Sequence, residues 1–177
     1  ATLALHYQAT EQVAFFGSGS FTERLPVIDE LYDSRVTTGA DQPAAGTMEN
    51  ERSLNFELGA SYTTDDVFSQ GDQLSLKGTV FQHNVSALIA RNSAGGPGDP
   101  TYANIDKAKF VGLEVEGSYE SELNFGSLAL TIMDGENISD PASNNPDLED
   151  RIPADTLRLT LGRRIPSHEL QLGWTGT

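Results

Sequence analysis

Phe110-Val111-Gly112-Leu113-Glu114-Val115-Glu116-Gly117-Ser118-Tyr119 alternates in type from one residue to the next. Val111, Leu113, Val115 and Tyr119 fall on one side, and Gly112, Glu114, Glu116 and Ser118 on the other. Successive side chains of a strand point to opposite faces, so this period of two predicts a strand with one apolar and one polar face. The same alternation runs through Leu54-Asn55-Phe56-Glu57-Leu58-Gly59-Ala60-Ser61-Tyr62 and Leu157-Arg158-Leu159-Thr160-Leu161. It recurs in Leu3-Ala4-Leu5-His6-Tyr7, Leu128-Ala129-Leu130-Thr131-Ile132 and Leu170-Gln171-Leu172-Gly173-Trp174. In Leu74-Ser75-Leu76-Lys77-Gly78-Thr79-Val80 the pattern meets an adjacent apolar residue, Phe81, and this break in phase predicts a bulge.

Candidate strands follow over residues 2–9, 12–24, 51–64, 73–91, 102–121, 125–137, 154–165 and 168–177, an all-β, antiparallel chain. Alternation of this kind suits a soluble sandwich as well as a membrane barrel. Two features favour the barrel. The connections alternate short and long, as in outer-membrane barrels with tight turns on one side and long loops on the other. Full charges also stand mid-strand on the polar face, at Glu57, Lys77, Glu114, Glu116 and Arg158, where a dry sandwich core would demand partners for each. Tyr62, Tyr102, Tyr119, Phe125 and Trp174 lie near strand ends and suit aromatic interface girdles.

Composition narrows the function classes. The 177 residues carry 11 Lys and Arg against 26 Asp and Glu, a net charge of −15, which argues against nucleic acid as a partner. The absence of cysteine removes disulfides, thiolate metal sites and a thiol nucleophile. No Gly-x-Ser-x-Gly elbow and no phosphate-cradling glycine loop is present, and Glu114 and Glu116 share one strand face rather than opposing each other across a cleft. The chain reads as a non-enzyme. Asp29 and Glu30 with Asp33, and Asp147-Leu148-Glu149-Asp150, are acidic loop clusters without the ligand spacing of a calcium loop.

Particular residues add a resemblance. Arg24-Leu25-Pro26-Val27-Ile28-Asp29-Glu30-Leu31-Tyr32 resembles the F-R-A-P-x-x-x-E-L-Y box of TonB-dependent outer-membrane receptors, with Glu23 in place of the phenylalanine. Glu51-Arg52-Ser53-Leu54-Asn55 is similar to the strand after their N-P-N-L-x-P-E box, although Ala45-Gly46-Thr47-Met48 replaces N-P-N-L. Tyr102-Ala103-Asn104-Ile105-Asp106-Lys107-Ala108, followed by Gly112-Leu113-Glu114-Val115-Glu116, resembles a third segment. Ile152-Pro153-Ala154-Asp155 resembles the approach to a later strand.

The resemblance implies an up-and-down transmembrane barrel of 22 strands in the bacterial outer membrane, of which residues 1–177 are about eight. The abrupt termini read the same way, as a partial barrel domain. It also implies outer-membrane lipid around the wall, a plug domain elsewhere that couples to TonB, and no covalently bound cofactor. The implied cargo is an iron-bearing ligand, haem or a haem-protein first and a ferric siderophore as the alternative. Arg24, Glu30, Tyr32, Arg35 and Tyr102 are the expected ligand-binding residues of the loops. Asn55, Glu57, Glu114, Glu116 and Arg158 are expected to face the lumen. The long loop over residues 33–50 holds no histidine; His6 and His83 fall in strands and His168 at a short turn, with His83 the best placed of the three for a haem contact. A complete eight-stranded structural or adhesive barrel and a soluble sandwich remain as other readings.

Overall fold

The computed structural model describes residues 1–31, 48–91, 102–138 and 152–177. Eight strands form one antiparallel sheet in which each pairs with its neighbour in sequence. They are β1 (Thr2–Gln8), β2 (Val13–Arg24), β3 (Glu51–Asp65), β4 (Gln73–Arg91), β5 (Tyr102–Glu120), β6 (Asn124–Asn137), β7 (Thr156–Ile165) and β8 (Leu170–Gly176). A one-turn helix, α1 (Ile28–Leu31), follows β2. The expected strands therefore form, with ends shifted by a residue or two. The sheet is open: β1 and β8 are its two edges and do not pair with each other, so these strands are not the closed eight-stranded barrel among the alternatives.

Register fixes the faces. Glu57 pairs with Ser18 and Phe81, Asn55 with Ser20 and His83, and Lys77 with Ser61 and Glu116. Residues paired across strands share a face, so one side carries Asn55, Glu57, Lys77, Glu114, Glu116 and, through Ala129, Arg158. The opposite side carries Leu3, Leu5, Leu58, Val80, Leu113, Ile132, Leu161, Leu172 and Trp174. Leu5 is 72% and Trp174 60% exposed, so this apolar face has no protein cover. The buried apolar residues among those described are Ala14, Val85, Leu88, Ile89, Ala90 and Ala108, too few and too small for a soluble core of this size. A continuous apolar sheet face whose strands β2–β7 are paired on both sides is suited to a lipid bilayer, while β1 and β8 each have one partner in this sheet.

The apolar band has an upper limit. Toward the long loops the same outer face turns polar, with Gln82, Asn84 and Ser86 on β4, Lys107 and Lys109 on β5, and Asp134 and Glu136 on β6. Lys109 pairs with Glu136 at 3.4 Å and Arg52 with Glu23 at 3.3 Å on this collar. On β5 the apolar stretch from Val111 to Tyr119 runs roughly 26 Å at a rise of ~3.3 Å per residue. Tilted by ~40°, it covers roughly 20 Å of height, most of the ~25 Å apolar band of an outer-membrane barrel.

The expected bulge at Val80–Phe81 does not form. Pairing runs unbroken through Leu58–Val80 and Glu57–Phe81 on one side and Val80–Leu113 and Phe81–Gly112 on the other. Phe81 instead faces inward with its ring over Gly112, where an added Cβ would come within 2.2 Å of the ring and 2.7 Å of the Ile132 carbonyl. Phe16 over Gly59, Phe110 over Gly135 and Phe125 over Gly162 repeat this pairing on the same face. Phe125 therefore does not belong to an outer girdle, as the sequence suggested, whereas Tyr62, Tyr119 and Trp174 lie on the outer face. Among the described residues, the one with positive φ inside a strand is Ala87, at 53°, where β4 leaves β3.

Candidate functional site

At the long-loop end, residues from three separated sequence boxes meet. Arg24 is the last residue of β2, and Glu51, its cross-strand partner, is the first of β3. The Arg24 guanidinium donates to both oxygens of Glu51, at 3.4 and 3.0 Å, and to both of Glu30, at 3.1 and 2.9 Å. Glu30 lies within α1, and its Oε2 also accepts the Val27 N–H at 2.8 Å, satisfying a donor at the helix start. Glu51 Oε2 further accepts the Ile89 N–H at 3.1 Å, binding β4 into the group. A planar guanidinium fork suits two carboxylates at once, and a lysine could not replace it.

Asn104 forms the second half of this knot. Its Oδ1 accepts the Glu49 N–H at 2.9 Å, while its Nδ2 donates to the Glu49 carbonyl at 3.1 Å and the Ala87 carbonyl at 2.8 Å. One side chain thus ties the returning end of the long loop to the irregular point of β4. Arg24 and Glu51 hold the two ends of that loop together, and Asn104 anchors them to the β4–β5 hairpin.

The expected ligand-binding residues divide accordingly. Arg24 and Glu30 stand at the root of the loop, engaged with each other, rather than within it. Tyr102 opens β5 opposite Arg91, half-buried. Tyr32 and Arg35 lie outside the described residues, as do Asp33 and the 147–150 cluster. Glu23, which stands where the family box has phenylalanine, faces outward and accepts from Arg52 at 3.3 Å and Asn50 at 3.2 Å.

Below the knot, the inner face is mixed. Glu57 accepts the Ser18 hydroxyl at 3.3 Å, and Lys77 lies 3.4 Å from Glu116 and 5.5 Å from the Phe16 ring centroid. Glu114 and Arg158 are exposed on this face. His83 also points inward, stacked on Phe81 at 5.0 Å. His6, paired with Phe16, shares the face, and His168 sits in the short β7–β8 turn with its Nδ1 2.9 Å from the Ser167 hydroxyl.

The opposite end is closed by tight turns. In the turn between β3 and β4, Asp72 is 1% exposed and its carboxylate accepts the Val67, Phe68 and Ser69 N–H groups at 2.7–2.9 Å and the Tyr119 hydroxyl at 2.8 Å. Burial alone would push this carboxyl up. The hydrogen bonds from Tyr119, Phe68, Val67 and Ser69 outweigh it and hold the group at about 2. The folded turn sets Phe68 edge-on against Tyr119, with centroids 5.6 Å apart, at the lower margin of the apolar face. Sequence reasoning did not single out Asp72, Asn104 or Glu51; the available signal was the place of the latter two in the boxes.

The sequence model of a family described as TonB dependent receptor-like, beta-barrel, matches residues 2–177. A curated relative from Haemophilus ducreyi, called TonB-dependent heme receptor A, is 28% identical over 97% of this chain and 26% of its own length. A Haemophilus influenzae protein of the same name is 23% identical over 97% of this chain and 25% of its length. The chain thus spans about a quarter of these relatives. Among solved structures, the Serratia marcescens hemophore receptor HasR, solved as a double mutant with its hemophore HasA and heme, superposes with a TM-score of 0.75 at 24% identity. That superposition covers 98% of this chain and 31% of HasR. The copper transporter OprC gives 0.73 at 19% identity, over 98% of this chain and 25% of its own. At these identities the two structures speak to fold alone.

Proposed function

Because this chain belongs to the TonB-dependent receptor β-barrel family, we propose that it forms part of the wall and outer loops of an outer-membrane receptor that takes up haem, free or protein-bound. The observation that carries this reading is the run of similarity to named heme receptors across 97% of the chain. In this reading residues 1–177 are a partial barrel domain, and a plug domain outside them couples to TonB. The apolar face meets outer-membrane lipid, and the face with Asn55, Glu57, Glu114, Glu116 and Arg158 lines the lumen around the plug. The loops rooted at the Arg24–Glu30–Glu51 knot meet the ligand first. Tyr32, Arg35 and Tyr102 contact it, while Arg24 and Glu30 act by fixing the loop root. Binding energy is gathered at the outer loops, and release into the lumen follows the pull of TonB on the plug. The receptor performs no covalent chemistry on its cargo.

The test is growth of an iron-starved strain that makes its own haem, supplied with either haem or a ferric siderophore as the iron source, with and without the full gene. Growth on haem that depends on the gene is the expected result. Gene-dependent growth on ferric siderophores alone would replace haem with the siderophore alternative.

A further inference from the structure

The inner face is mixed, and just below the knot its apolar residues gather on three neighbouring strands. There Phe81, Val85, Ala108, Phe110 and Met133 share the inward side of β4, β5 and β6. Val85 and Ala108 pack with Leu88 and Phe110 into an apolar cluster of the described residues. Gly112 and Gly135 add no side chains of their own and are covered by the Phe81 and Phe110 rings. The surface between them is therefore low and aromatic, with the Glu57 carboxylate across from Phe81 at its border on β3.

His83 stands between these two phenylalanines, next to Phe81 along β4 and opposite Phe110 on β5. Its ring lies 5.0 Å from that of Phe81, inclined by 32°. No described residue hydrogen-bonds either ring nitrogen. A half-buried imidazole on a water-facing wall ordinarily finds a hydroxyl, amide or carboxylate. Here Asn55, directly across on β3, is turned away, donating to Ser20 at 3.2 Å and bonded to Ser53.

We infer that this patch is a subsite on the lumen wall for a flat, conjugated, metal-bearing ligand, with His83 offering a ring nitrogen to the metal and Phe81 and Phe110 packing against the macrocycle. Imidazole is a ligand for iron in such macrocycles, and large apolar rings prefer aromatic neighbours. The subsite rests on the haem reading above and adds to it a place where cargo pauses after leaving the outer loops. It lies below the loops, within the barrel wall, so it is distinct from the residues that meet the ligand first.

The experiment titrates the detergent-purified receptor that contains this segment with ferric protoporphyrin IX, reading the Soret band and the paramagnetic resonance signal of the iron. His83→Ala and the polar, similarly sized His83→Gln are compared with wild type, and His6→Ala serves as a control on the same face. Both His83 variants are expected to shift the Soret band, lose the imidazole-bound iron signal and weaken hemin binding at one site by about tenfold or more. His6→Ala is expected to keep the wild-type spectrum. Wild-type spectra and affinity in both His83 variants would overturn the subsite while leaving haem as the cargo. A wild-type receptor that binds no hemin would remove the haem reading and the subsite with it.

Discussion

At the scale of single residues, space and charge satisfaction decide the outcomes. Gly112 is required because the Phe81 ring occupies the place of its Cβ. Gly112→Ala is expected to destabilise the folded barrel by about 1–3 kcal/mol, the usual cost of overpacking. Urea unfolding in lipid vesicles measures this, and adding Phe81→Leu should recover part of the loss. Asp72 sets a pH dependence. Its folded value of about 2 lies below the ordinary 3.8, so its contribution is present above pH ~4 and is lost as pH falls through ~2. Asp72→Asn should remove that dependence, and acid unfolding followed by tryptophan fluorescence of both proteins checks it. The inward phenylalanines also mark the limit of sequence reasoning. Phe81 looked like a phase error because the glycine that makes room for it lies on another strand, and no local pattern carries that pairing.

At the scale of elements, alternation located the strands because each has one face in apolar surroundings and one in polar surroundings. That contrast breaks down near the long loops, where the outer face turns polar and the inner face carries Val85, Ala108 and Phe110, and there the knot could not be read. Arg24, Glu51 and Asn104 belong to separate boxes, and only the β2–β3, β3–β4 and β4–β5 registers bring them together. Removing the guanidinium leaves two carboxylates, 13% and 18% exposed, without their partner. Because the Arg24 side chain is itself 41% exposed, Arg24→Ala is expected to cost about 1–3 kcal/mol, less than the loss of a fully buried pair. Arg24→Lys should recover only part of it, since an ammonium cannot fork across both carboxylates. Asn104→Ala releases Glu49 and the Ala87 carbonyl. Limited proteolysis of intact cells should then cut between β2 and β3 faster than in wild type, with the β5–β6 turn unchanged.

At the scale of the whole sheet, the division of faces carries the functional reading, because a wall with lipid on one side and a wet, charged lumen on the other is what a receptor barrel needs. Of the acidic residues behind the net charge of −15, first a reason to set nucleic acid aside, Glu57, Glu114 and Glu116 share one face with Lys77 and Arg158, and Glu30 and Glu51 hold Arg24 in the knot. The most direct measurement places a nitroxide label at successive positions of β3, from Arg52 to Tyr62, in the vesicle-reconstituted receptor, and compares collisions with oxygen and with a water-soluble nickel complex. Oxygen access is expected to peak at Leu54, Phe56, Leu58 and Tyr62, with low oxygen access at Ser53, Asn55, Glu57 and Ser61 and a change to nickel access at Arg52. Uniform nickel access along the strand, or oxygen peaks at Asn55 and Glu57, would contradict a membrane-spanning wall with these faces.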